Sequence, residues 1–236
     1  RMNPEEPVDR RGIVGRDRVV GCAMELSAEI FTPGLVKRNT THKTTWFAVG
    51  ELDGLYTPRV KEIAALLGHV GRCDVTNNIY GAKWTKLIAN SMTMGPFGLL
   101  GLGNSDAAAL PGMFEVSVQL GRESLAVGSA LGHRTEAIFG LRADEFAGSS
   151  DENLVTARDT LMKHVGGNSR TAPIHDHIKG RRSEMDYITG VVTRKSKELG
   201  IPTPFNDAVL EIDRKINAGE IRMEAANFDL LKQRLP

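Results

Sequence analysis

The feature that most limits what this chain can fold into is a change of pattern near residue 80. Upstream, short apolar runs alternate with turn residues; downstream, strand patterns stop and runs of helical length take over. Between residues 18 and 77, "RVVGCAMEL", "LVKRNTT" and "TTWFAVGEL" read as strands, the last closed by the Asp53-Gly54 turn. "TPRVKEIAALLGHVG" (57–71) places apolar residues at 60, 63, 64, 66 and 67, an amphipathic helix that Gly68 and Gly71 stop. "RCDVTNN" adds a short strand, and strand–helix–strand is the order of an α/β layer.

Beyond residue 80 the pattern predicts a helix over 82–94, the loop "GPFGLLGLGNSDAAALPG", and a long helix from near Pro111 to Gly132. "SSDENLVTARDTLMKHV" begins with Ser and Asp caps. "RRSEMDYITGVVTRKSKELG" reads as one helix closed by Gly200, and after "IPTP" a last helix, "FNDAVLEIDRKINAG", is capped by Gly219. The expected fold class is an α/β fragment over residues 1–79 followed by an all-α domain over residues 80–236.

Composition mainly excludes. With 41% hydrophobic and 25% charged residues the chain is an ordinary globular one. A net charge of +1 gives no reason to invoke nucleic acid or an anionic membrane surface. Arg10-Arg11 and Arg181-Arg182 are short clusters that read as solvated surface. No apolar run approaches the ~18 residues of a membrane span, no secretory signal pattern is present, and the expected compartment is the cytoplasm. Cys22 and Cys73 stand in no metal-ligand spacing and read as reduced, half-buried small hydrophobes. In "HDH" (175–177) helical i,i+2 side chains face apart, so no metal is expected; His42, His69, His133 and His164 are scattered and carry no assigned chemistry. The first strand-like run, 18–25, arrives without a preceding unit to pair with, as if the chain were entered part-way through a fold.

Two polar intrusions into apolar helices carry the chemistry. In "AKWTKLIANSMTMGP" (82–96), Lys86 and Asn90 lie four residues apart, on one helical face. A lysine there either snorkels at a helix edge or shares a polar cavity with the asparagine. Desolvation would make such a lysine usable as a proton donor near neutral pH, and the carboxamide could hold a carbonyl or carboxylate oxygen. In "GRRSEMDYITGVV" (180–192), Glu184, Tyr187, Ile188 and Val191 fall along one helical face. A carboxylate heading that face is either an N-terminal helix charge or a site residue.

"KWTKLIANSMT", followed about a hundred residues later by "GRRSEMDYITGVVTRKSKELGIPTPFNDAVLEI", resembles the helical half of the ketopantoate reductase (2-dehydropantoate 2-reductase) family. The Gly200 to Asn206 loop matches its "G-[IV]-P-T-P-x-N" pattern, and "VVGCAMELSAEIFTPGLVKRNTTHKTTWFAVGELDG" resembles the end of its dinucleotide-binding domain. The resemblance implies the C-terminal part of a Rossmann-type domain joined to a 6-phosphogluconate-dehydrogenase-like helical domain. It also implies NADP as cofactor and a 2-oxo acid as substrate, and it is compatible with a homodimer. Carried over by position, Lys86 matches the catalytic proton donor, Asn90 and Asn104 match substrate-binding asparagines, and Glu184 matches the glutamate at the nicotinamide end of the cofactor.

The chain departs from the family pattern in three ways. Met94, two turns beyond Lys86, stands where a second asparagine is usual, and Ala172 replaces a substrate-contacting serine. Losing two polar partners weakens discrimination for a hydroxyl-bearing substrate. The pyrophosphate-binding G-x-G-x-x-G turn has no counterpart, because "GLLGLG" (98–103) follows a helix and reads as a packing or hinge loop. The first ~100 residues of the family fold, an ordinary domain's length, are thus expected to be lacking. The reading is NADPH-dependent reduction of a 2-oxo acid to a 2-hydroxy acid. The alternatives are a related hydroxyacid or imine reductase, or a non-catalytic helical interaction module.

Overall fold

The structure, a computed structural model, describes residues 14–138, 151–165 and 169–236. The Arg10-Arg11 pair and the Ser149 and Ser150 caps lie outside the described residues. Two compact units result: residues 14–86 with 134–138, and residues 87–133 with 151–165 and 169–236.

The first unit holds strands β1 (Val20–Glu25), β2 (Ala28–Thr32), β3 (Leu35–Arg38), β4 (Trp46–Glu51) and β5 (Arg72–Val75), and helix α1 (Pro58–Gly68). Three strands form a sheet in the order β1-β4-β5. β1 runs antiparallel to β4, pairing Val20 with Glu51, and β5 runs parallel to β4, pairing Trp46 with Arg72. A parallel pair needs a crossover, and α1 supplies it. The Thr57 hydroxyl caps that helix by accepting the Val60 N–H at 3.4 Å, and Pro58 occupies its first turn. Central β4 is buried at all six positions, as expected of a strand covered on both faces.

β2 and β3 form a separate hairpin across Pro33-Gly34, where Gly34 supplies a φ of 80°. The sequence pattern finds β3 but not β2. Glu29 interrupts the apolar run of β2, and its carboxylate pairs with Lys37 across the hairpin at 3.0 Å.

Helix α2 (Ile79–Gly98) begins in this unit. The Asn78 side-chain oxygen accepts the Gly81 N–H at 3.2 Å, which fixes where the helix starts. Gly21 and Gly50, paired across β1 and β4, let the start of α2 lie against the sheet. A Cβ on Gly21 would fall 2.5 Å from Ile79 Cγ1, and one on Gly50 would fall 2.4 Å from the Thr76 carbonyl.

The second unit holds the rest of α2, then α3 (Asn104–Ala108), α4 (Met113–Ala130), α5 (Asp151–Val165), α6 (Ala172–Ile178), α7 (Thr189–Leu199), α8 (Pro204–Asn217) and α9 (Asn227–Lys232). Helix α4 is its spine, packed against α5, α7 and α8. Small residues bring α2 and α4 together: the Ser91 and Ser124 hydroxyls bond at 2.8 Å, and a Cβ on Gly121 would meet Met92 at 2.7 Å.

The helical expectations are corrected at three places, the first being Asn104–Ala108, which forms α3 inside the stretch expected as a loop. α2 extends past the expected end at 94 to Gly98, with Pro96 inside its last turn. The single helix expected from residue 181 does not form. Residues 181–184 are non-helical, Met185–Tyr187 is a 3₁₀ turn, and Ile188 (φ −107°, ψ −91°) breaks the chain before α7. Local polar side chains outcompete the helix. The Ser183 hydroxyl donates to Asp213 on α8 and its N–H donates to Asn217 Oδ1 at 2.9 Å, while Asp186 is taken up by Arg182 and by Arg214 at 2.8 Å. Glu184, Tyr187, Ile188 and Val191 therefore share no continuous helical face.

Candidate active site

Helix α2 places Lys86 and Asn90 one turn apart, with 8% and 7% of their surface exposed. The side chains around them in sequence are apolar and buried: Trp84, Leu87 and Ile88. The turn carrying Lys86 is tied down through Thr85, whose hydroxyl donates to the Gly81 carbonyl at 2.9 Å and accepts the Glu136 N–H at 2.9 Å.

The Lys86 ammonium has a partner that sequence reasoning missed. Nζ lies 2.9 Å from Oε2 of Glu25, the last residue of β1, whose side chain is 21% exposed. The available signal was a carboxylate ending an otherwise apolar strand. An ammonium carries three N–H donors, and this contact uses one of them.

Asn104 opens α3 and is buried. Its N–H donates to the Ser169 carbonyl at 2.9 Å and its Nδ2 donates to the Ser169 hydroxyl at 3.1 Å. Glu184 is half-buried just before the 3₁₀ turn, with its carbonyl accepting the Tyr187 N–H at 2.8 Å. Both flanks of Glu184 are anchored: Ser183 to Asp213 and Asn217, and Asp186 to Arg214. Burial opposes the Asp186 charge, and the two guanidiniums outweigh it, holding that carboxyl below its usual range. Glu184 is thus held by its neighbours' contacts rather than by a helix of its own. Met94 and Ala172 are half-buried.

Among the described residues no group of His, Cys, Asp and Glu is placed to hold a metal ion. His177 Nε2 lies 3.2 Å from Asp213 Oδ1, inside the network that anchors Ser183. None of the helices among the described residues is long and apolar enough to cross a membrane.

Lys86 and Asn90 share helix α2, while Asn104 and Glu184 lie on α3 and just before the 3₁₀ turn. The run 98–103 leads from α2 into the five-residue α3, and a Cβ on Gly101 (φ 70°) would sit 3.4 Å from the Met223 carbonyl. That loop packs against protein.

Comparison with known proteins gives the family and the fold. The family described as "Ketopantoate reductase PanE/ApbA C terminal" matches residues 78–217. A 2-dehydropantoate 2-reductase of Archaeoglobus fulgidus is 24% identical over 172 residues, 72% of this chain and 52% of that protein. The crystal structure of a PanE/ApbA family ketopantoate reductase from Ralstonia eutropha superimposes with a TM-score of 0.74 at 20% identity, covering 92% of this chain and 65% of that one. A D-mandelate dehydrogenase in complex with NADH superimposes with a TM-score of 0.76 at 17% identity, covering 92% and 69%. The chain spans about half the length of the curated relatives it matches. The fold is that of these reductases: the end of a Rossmann-type α/β domain, then the helical domain. With the match running from the start of α2 to the end of α8, the chain belongs to the ketopantoate reductase PanE/ApbA C-terminal family.

Proposed function

We propose that the protein carries out NADPH-dependent reduction of a 2-oxo acid to the 2-hydroxy acid, with 2-dehydropantoate as the reference substrate. The observation that carries this reading is the buried ammonium of Lys86, one helical turn from Asn90, within the matched family region. The bound cofactor supplies a hydride to the carbonyl carbon. Lys86 stabilises the negative charge that develops on the ketone oxygen and then gives that oxygen a proton from Nζ. In a buried setting the electrostatic part of that role is the larger one. Asn90, together with Asn104, orients the carboxylate and carbonyl so that the carbon faces the hydride donor. Glu184 addresses the nicotinamide side of the cofactor.

A related hydroxyacid reductase is the second reading, favoured by Met94 and Ala172. Two apolar side chains suit a 2-oxo acid with an apolar tail, as in the oxo counterpart of mandelate. The test is loss of reduced-nicotinamide absorbance by the full-length protein with NADPH or NADH. It is run against 2-dehydropantoate, its deoxy analogue and the oxo counterpart of mandelate. Turnover of any of the three supports 2-oxo acid reduction, and the ranking separates the two readings. No turnover with any of them contradicts both.

A further inference from the structure

We propose that Glu25 is a positioning residue for Lys86: it keeps the buried amine in its charged, proton-bearing form and fixes where Nζ points. The role in catalysis rests on the reading of Lys86 as proton donor; the role in holding charge does not. Lys86 is 8% exposed, and a buried charge is costly unless it is paired and hydrogen-bonded. A neutral amine has no acidic proton to give a developing alkoxide. The charges facing this pair come from two elements. On α2, Lys83 lies one turn before Lys86; on β1 lies Glu25. Glu25 is the carboxylate of the group, and its contact at 2.9 Å is that of a charge-assisted hydrogen bond.

Glu25 also comes from a different part of the chain. It is fixed at the end of β1 by pairing with Trp46 of β4, itself buried and bonded from Nε1 to Asp74 Oδ2 at 2.7 Å. The sheet therefore sets the carboxylate's position, and the carboxylate sets the lysine's. When the Nζ–H bond breaks and the alcohol O–H bond forms, the amine is left neutral beside a carboxylate whose side chain is 21% exposed. The amine then takes a proton from water, and the adjacent negative charge favours its return to ammonium.

The test uses the full-length protein with Glu25→Gln and, as a second uncharged side chain, Glu25→Ser, beside the conservative Glu25→Asp. Acetic anhydride acylates neutral amines and not ammonium ions, so mass spectrometry of Lys86 acetylation, relative to surface lysines, reports the charge state without any turnover. The uncharged variants are expected to raise Lys86 acetylation about tenfold and to lower kcat about tenfold, within the range of a general-acid effect, with little change in KM. Glu25→Asp is expected to restore most of both. Unchanged acetylation in both uncharged variants overturns the proposal. So does a rise in KM with kcat intact, which would put Glu25 on the substrate. If the wild-type protein reduces no 2-oxo acid, the proposed function fails, and the acetylation result still decides whether Glu25 holds the charge of Lys86.

Discussion

Glu123, inside α4, closes the N-terminus of α8 through Asn206: its Oε2 accepts the Asn206 backbone N–H at 2.9 Å and its side-chain Nδ2 at 2.8 Å, while Oε1 accepts the Phe205 N–H at 2.9 Å. A helix N-terminus presents unsatisfied N–H donors and favours negative charge. Here a residue more than eighty positions upstream meets both needs. Glu123→Ala is expected to destabilise the protein by about 1–3 kcal/mol, the cost of orphaning buried donors, measured as a lower urea midpoint with an unchanged slope.

The same carboxylate gives a pH dependence of definite sign. Burial pushes the Glu123 carboxyl above its usual range, against the hydrogen bonds from Phe205 and Asn206. The folded state then holds a proton that the unfolded state has already lost, so this group's contribution to stability falls as pH rises from the ordinary glutamate value to the raised one. Glu123→Gln should remove that decline from the stability–pH curve while keeping a carbonyl acceptor. A Gln variant with the wild-type slope would contradict this account.

Glu51 has the opposite sign. The Arg59 guanidinium bonds both of its oxygens, at 2.7 and 2.5 Å, and Thr57 donates to it as well. These contacts, Arg59 foremost, hold its carboxyl below the usual range against burial. The stabilisation is complete above the unfolded value of about 4.3 and is lost as pH falls through the depressed folded value. Below about pH 4.3, wild-type protein should lose stability more steeply than Glu51→Gln. Parallel acid-unfolding curves would show that the pair contributes nothing.

Much of the fold was legible because its periods are simple. Short apolar runs bounded by turn residues identify β1, β4 and β5, and the 57–71 pattern identifies α1. The stretch that misled is 181–188. Its residue types suit a helix, yet Ser183 and Asp186 find partners on α8, at Asp213, Asn217 and Arg214, that no local pattern records. For the same reason the pairing of Glu25 with Lys86 could not be foreseen, although a carboxylate ending an apolar strand marked the residue. Its partner lies 61 residues along the chain, and the contact depends on the sheet bringing the end of β1 to α2. That Lys86 and Asn90 lie one turn apart was legible because a single helix carries both.

The half-buried Met94 and Ala172 lead to a prediction about selectivity. An asparagine–serine pair that meets a substrate hydroxyl penalises a substrate lacking it, since an unmade hydrogen bond to a buried group costs roughly 1–3 kcal/mol. A methionine–alanine pair leaves no such group unpaired. Met94→Asn with Ala172→Ser is expected to raise the kcat/KM ratio of 2-dehydropantoate over its deoxy analogue about tenfold, on the order of 1.4 kcal/mol. An unmoved ratio would mean that these positions do not face the hydroxyl end of the substrate.

The most direct measurement of the central claim is the steady-state kinetics of Lys86→Ala in the full-length protein with NADPH and its best 2-oxo acid. A lysine whose charge acts on an oxyanion present only late in the reaction should matter to kcat far more than to KM. The expected loss in kcat is of the order 10²–10⁴-fold, with KM changed by less than about threefold. A loss below about fivefold, in a variant that folds as the wild type does, would make Lys86 a structural lysine paired with Glu25 and would contradict its assignment as the proton donor.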